Sequence, residues 1–204
     1  MFLVNENVEP TGGESHSSKA ASLFRTVGEF LRLTLIAAAI AVPIRYFVAQ
    51  PFIVNGASME PNFHDQQYLV IDELTYFFRE PQRGEVVVFH YPLNPRQYFI
   101  KRVIGLPGDT IEVRADGVYV FNALHPDGFK LEEPYLPAGL EMRVLHRFKL
   151  GEREYVVLGD NRPESSDSRA WGPLPRELIT GRAVFRAWPL SQFGILEQHV
   201  IPNP

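Results

Sequence analysis

Two hydrophobic patterns divide the chain. Between Leu23 and residue 50 lies an apolar stretch whose strongest part, Leu33 to Val42, carries no charge and shows no polar face repeating at helical spacing. From Pro51 onward the apolar positions fall instead into short runs closed by turn residues. Tyr68-Leu69-Val70-Ile71 follows a polar turn, and Glu85 to Phe89 follows Arg83-Gly84. Tyr98 to Ile104 ends at Gly105-Leu106-Pro107-Gly108, where Pro before Gly predicts a type II turn. Thr110 to Arg114 and Val118 to Phe121 flank Asp116-Gly117, a hairpin signal. Tyr155 to Leu158 and Ala183 to Phe185 restore the strand pattern after an interval at about 122–150 rich in Pro, Gly and charge. Neither a second long helix nor an internal repeat is predicted. The expected architecture is mainly β: a β-sheet body over 51–204 with a small subdomain inserted at about 122–150, preceded by one helix at 23–50 and a flexible polar lead at 1–22.

We read the helix as a membrane anchor. Its charge-free core is short for a span of roughly 20 residues. Counting from Phe30 to Phe47 makes it long enough if Arg32 and Arg45 extend toward opposite interfaces. Tyr46, Phe47 and Phe52 suit an interface. A buried amphipathic helix is the alternative. Lys19, Arg25 and Arg32 precede the span and favour a cytoplasmic N-terminus, with Arg45 as a counter-signal, so the body is expected outside the cytoplasm. A cleaved secretory signal fits less well, because the run starts late and no clear small-x-small site follows it.

Composition narrows the classes further. With 204 residues and 45% hydrophobic content the chain can bury a real core. A net charge of -4 and the absence of any Lys/Arg block argue against nucleic acid. The lack of cysteine removes disulfides, thiol nucleophiles and cysteine-based zinc sites without fixing a compartment.

The chemistry centres on Ser58, in Asn55-Gly56-Ala57-Ser58-Met59-Glu60-Pro61. A serine hydroxyl needs a neighbouring base, and none of the six histidines stands in a catalytic pattern. Lys101 is the candidate. A lysine works as a base only when neutral, and bringing its pKa from about 10.4 to near 7 takes about 4 kcal/mol from desolvation and nearby positive charge. On a strand, Phe99, Lys101 and Val103 share a face, while Arg102 points away and adds positive potential. A solvated strand lysine is the competing reading. A third polar segment, Gly159 to Arg169, follows a strand and offers hydroxyls and opposed charges that could orient an amine, with Asp167 pairing Arg169 or Arg102.

In this order, behind an N-terminal anchor, these segments resemble the type I signal peptidases, membrane-bound Ser/Lys proteases. The matching pieces are Gly56 to Pro61, Tyr98 to Asp109, and Gly159-Asp160-Asn161 with Ser165, Asp167, Ser168 and Arg169. The resemblance implies Ser58 as nucleophile and Lys101 as general base, with Ser165 hydrogen-bonding the amine. It implies a supporting cluster of Asp160, Asp167, Arg169 and Arg102, and a substrate site shaped by Met59 or else a Met59 that only fills the core. The Ser58 N–H would hold the oxyanion. Gly56 stands where some members carry a second, serine donor, so another backbone group or water would complete the hole. Pro163, Glu164 and Asn62 also depart from the commonest forms of the motifs. The implied reaction is removal of signal peptides from exported preproteins after small-x-small (Ala-x-Ala) sites, through an acyl-enzyme and without metal or cofactor. Signal peptides are the implied substrates, with membrane lipid and the protein-export machinery as partners, and the chain is expected in the cytoplasmic membrane with its catalytic domain on the periplasmic side.

Three other readings use the same residues. A self-cleaving Ser/Lys regulator would need a DNA-binding or partner domain, and the Ala138-Gly139 bond lies after both catalytic candidates rather than before them. A non-catalytic, membrane-anchored β-module predicts no hydrolysis dependent on Ser58 or Lys101. A metal hydrolase finds no ligand-like spacing among His64, His90, His125, His146 and His199.

Overall fold

The computed structural model describes residues 15–43, 50–138, 140, 142 and 145–202. It divides into two compact units, Met1–Ile44 and Arg45–Pro204. In the first, helix α1 (Ser15–Pro43) starts earlier than the apolar pattern suggests. Its first turns take in Lys19, Ala20 and Ala21, good helix formers that extend an existing helix at little cost. Along α1, Phe30, Leu31, Leu33, Leu35 and Ile36 are all exposed. Arg25 pairs with Glu29 one turn on, and the Thr34 hydroxyl donates back to the Phe30 carbonyl at 2.9 Å. Among the described residues no helix is long and apolar enough to cross a membrane. The lead before Ser15 and the expected span end at Arg45, Tyr46 and Phe47 lie outside the described residues.

The second unit is mainly β. Its strands are β1 (Gln50–Ile53), β2 (Tyr68–Asp72), β3 (Val86–Tyr91), β4 (Asn94–Gly105), β5 (Thr110–Arg114) and β6 (Gly117–Phe121). They are followed by β7 (Phe129–Lys130), β8 (His146–Lys149), β9 (Glu154–Leu158), β10 (Leu174–Pro175), β11 (Ile179–Trp188) and β12 (Gly194–Ile195). Two short helices accompany them, α2 (Thr75–Phe78) and α3 (Ser168–Trp171). The larger sheet runs β1-β2-β11-β3-β4-β9-β10 with β12 beside β11, and every pairing is antiparallel.

Strand alternation explains why the central strands read as unbroken apolar runs. In β3, Val86 and Val88 join Val54, Met59, Phe63, Leu69 and Ile71 in one cluster, while Val87 and Phe89 join Val103, Tyr155, Val157 and Leu174 in another. Both faces are covered, so both parities must be apolar. In β9, Val156 and Leu158 turn to a third cluster with Ile104, Ile111, Val113, Val118 and Val120.

That third cluster lies under a second sheet, β7-β6-β5-β8. The predicted hairpin is β5 and β6, paired from Thr110↔Phe121 to Arg114↔Gly117. The subdomain therefore begins near residue 110 rather than 122, because β7 and β8, inside the interval read as an insertion, add to the two sides of that hairpin. The turn before it has the expected chemistry: the Asp109 N–H bonds the Leu106 carbonyl at 3.0 Å, and Gly108 takes φ +82° at the position where a type II turn requires a left-handed residue.

Candidate active site

Ser58 leaves the end of β1 through a tight series of turns. The Glu60 N–H bonds the Ala57 carbonyl, and those of Asn62 and Phe63 bond that of Met59. Met59 is fully buried in the cluster below Val86 and Val88 and does not line the groove beside Ser58. Of the two readings of this residue, the core filler is what its surroundings match: an unbranched side chain occupying an apolar gap and pinning the loop.

Lys101 comes from β4, opposite Val87 and on the same strand face as Phe99 and Val103. Pairing of β4 with β9 stops at Leu158 opposite Arg102, so Lys101 sits where its neighbour strand ends and a loop begins. It is 3% exposed, against the reading of a solvated lysine. Its Nζ lies 2.6 Å from Ser58 Oγ and donates to the Ile100 carbonyl at 2.8 Å, with the Phe99 ring 5.4 Å away. Burial lowers the Lys101 pKa to about 8, against the pull of the Asp167 and Asp160 carboxylates, which favour the charged amine. Positive potential from Arg102 is not what depresses it. That guanidinium is neutralised by Asp160, through Nε–Oδ1 at 2.9 Å and Nη2–Oδ2 at 2.6 Å. This opposition of carboxylates leaves the amine short of the expected value near 7.

The 159–169 segment fastens these parts together. Arg102 also donates to the Gly84 carbonyl and lies 3.8 Å over the Tyr135 ring. Asp160 accepts a further bond from Asn62 Nδ2. Asp167 pairs with Arg169, not Arg102; its carboxylate caps α3 through the Arg169 N–H and accepts from the Gly159 N–H. Burial pushes the Asp167 carboxyl up, but Arg169 and the Gly159 amide outweigh it and hold the pKa below the ordinary range. Ser165, expected on the lysine amine, does not bond it. Its buried Oγ sits over Gly159, close enough to the Asp167 carboxylate to help hold it ionised without meeting hydrogen-bond geometry.

Sequence reasoning assigned no role to several residues that matter here. Asn161 clamps the backbone at Ser58: its side-chain amide donates to the Ala57 carbonyl and its N–H to the Ser58 carbonyl, both at 3.1 Å. Arg162 is buried and bridges the Glu133 carboxylate and the Gly159 carbonyl. Gly159 permits this close approach, since a Cβ there would lie 2.2 Å from Ser165 Oγ and 2.4 Å from the Ser58 carbonyl oxygen. The pattern Gly-Asp-Asn was visible in the chain, but nothing local says what each residue touches.

Facing the dyad is a groove of about 860 Å³ lined by β1 residues 51–53, by 54–58, by 97–101 of β4, and by Leu69, Val88, Glu164 and Ser166. Phe52 and Tyr98 meet edge to face at 5.1 Å. The Ser58 N–H makes no hydrogen bond among the described residues and is free to meet an oxyanion. That of Gly56 is committed to Asp65 Oδ1 at 2.8 Å, a bond that leads in lowering the Asp65 pKa, so Gly56 supplies no second oxyanion donor.

A family model described as signal peptidase, peptidase S26, matches residues 27–188. The chain belongs to the signal peptidase family. Members are serine endopeptidases that remove signal peptides. The chain is 37% identical over 200 residues to a probable signal peptidase I-2 of Synechocystis, covering 95% of this chain and 86% of that one. Similarity to the signal peptidase I of Leptolyngbya laminosa is also 37%, over 95% and 97% of the two chains. That of Bacillus amyloliquefaciens is 31% identical over 88% and 95%. A solved signal peptidase I from Enterococcus faecalis aligns at 31% identity over 51% of this chain and 97% of its own, with a TM-score of 0.43. Within this signal peptidase, residues from all three segments read from the sequence line the groove, Gly56 to Ser58, Tyr98 to Lys101, and Glu164 with Ser166.

Proposed function

We propose that the chain is a membrane-anchored type I signal peptidase in which Ser58 is the nucleophile and Lys101 the general base. The observation that carries this reading is the 2.6 Å contact between a buried amine and the Ser58 hydroxyl in the lining of an open groove. In its neutral form the amine accepts the hydroxyl proton as Oγ attacks the scissile carbonyl. The Ser58 N–H stabilises the oxyanion, the resulting ammonium returns its proton to the leaving amine, and the amine then activates the water that hydrolyses the acyl-enzyme. Asp160, Asp167, Arg102 and Arg169 act as a scaffold for this pair.

The substrate enters the groove as an extended strand, with small side chains before the cut in Ala-x-Ala fashion. Anchoring in the cytoplasmic membrane, with the body on the periplasmic side, is supported by the large apolar side chains exposed along α1. It is supported separately by exposed Trp188, Leu190, Phe193 and Ile195 on the body, with Tyr68 opposite Trp188 and Ile53 opposite Tyr68 across the sheet. Lipid and the export machinery are the partners, and sharing a surface with the substrate raises its effective concentration.

Detergent-solubilised protein incubated with a preprotein bearing an Ala-x-Ala site should release products whose masses place the cut directly after the second Ala. Ser58→Ala and Lys101→Arg should release none, the latter because a guanidinium stays charged. Appreciable cleavage by either variant overturns the dyad.

A further inference from the structure

The arginines around the dyad are each held by a carboxylate. Asp160 holds Arg102, Asp167 holds Arg169, and Glu133 holds Arg162, so each arginine near the 159–169 loop is engaged by a carboxylate other than Glu164. Glu164 sits at the end of the 3-10 turn Arg162–Glu164, with its N–H bonded to the Asn161 carbonyl. Its side chain makes no ion pair or hydrogen bond among the described residues, and it is exposed. It lines the groove, as does its neighbour Ser166. Among the lining residues the one carboxylate is Glu164 and the one amine is Lys101; most of the remaining walls are apolar or backbone. When Lys101 is in its reactive, neutral form, Glu164 is the one charged side chain among the groove's lining residues.

We propose that Glu164 is a specificity-determining residue that selects substrates carrying a basic side chain close to the scissile bond and disfavours acidic ones there. This rests on the signal-peptidase reading of the groove. Several features support it: a carboxylate with no partner of its own, neighbouring cations locked elsewhere, and low-polarity walls that strengthen a charge contact relative to open water. The 3-10 turn Arg162–Glu164 holds its backbone beside the groove that this residue lines. Substrate charge is thereby read by a residue that takes no part in the proton transfers.

The test uses the full chain in detergent and a peptide with a neutral Ala-x-Ala site. Residues on either side of the cut are replaced one at a time by Lys or by Glu, and kcat/KM is compared. For the wild type, Lys is expected to exceed Glu about 5-fold at one position, with the ratio shrinking as ionic strength rises. The ratio should fall to near one in Glu164→Gln and invert in Glu164→Lys. Cleavage of the neutral parent with the same Lys-to-Glu ratio in all three proteins, or with no preference at any position, overturns this inference alone. Failure of the wild type to cut the neutral parent overturns the underlying reading, and this inference with it.

Discussion

Lys101 carries two conflicting demands, and pH separates them. Its folded-state pKa of about 8 lies below the ordinary 10.5, so the charged amine is destabilising in the folded protein. The cost, on the order of 3 kcal/mol, is fully present below pH 8 and fades as pH rises from about 8 to 10.5, because over that window the unfolded chain holds a proton the folded one has lost. Lys101→Met should therefore raise the melting temperature at pH 7 and lose that advantage near pH 10, while abolishing cleavage. In the wild type, kcat/KM is expected to climb with pH through about 8 and then level off, as the neutral amine becomes the main form. A profile flat across that range would argue against Lys101 as the base.

At the level of elements, the proposed nucleophile and base lie on separate pieces of chain, the turn after β1 and the middle of β4. The turn following β9 connects them. Asp160 grips Arg102, next to Lys101, and Asn161 grips the carbonyls of Ala57 and Ser58. Gly159 lets the two approach. In Gly159→Ala the new methyl meets backbone oxygen and the Ser165 side chain, so the turn must back away from Ser58. A displacement of about 1 Å is enough to cost about 100-fold in kcat/KM, measurable with a peptide substrate, while the sheet itself stays folded. Asp160→Ala acts differently. It strands a guanidinium that is 2% exposed, and the expected loss is about 3–5 kcal/mol of stability, read from a denaturant midpoint.

For the whole molecule, the division at Ile44 and Arg45 sets the prediction. All three apolar clusters belong to the body, which holds both members of the dyad and the groove. A chain reduced to residues 45–204 should melt in a single cooperative transition like that of the full protein and still cut a soluble peptide in detergent. It should be released from membranes by alkaline carbonate, whereas the full chain should stay behind. Equal release of both would count against α1 as an anchor.

The sequence by itself determined the β character of the body, the hairpin at Asp116-Gly117, the turn at Pro107-Gly108 and the three segments to which the proposed chemistry is assigned. These are local properties: strand alternation, turn residues and motif order are written in neighbouring positions. Only the tertiary structure decided that Asp160 rather than Asp167 holds Arg102, that Ser165 leaves the amine alone, that Met59 is core, and that the small sheet begins at Thr110. It also decided that burial, not a neighbouring cation, lowers the pKa of Lys101. Partner choice and desolvation depend on residues brought together from distant parts of the chain, and a pattern read along the chain contains no information about which of several like charges packing will place within reach.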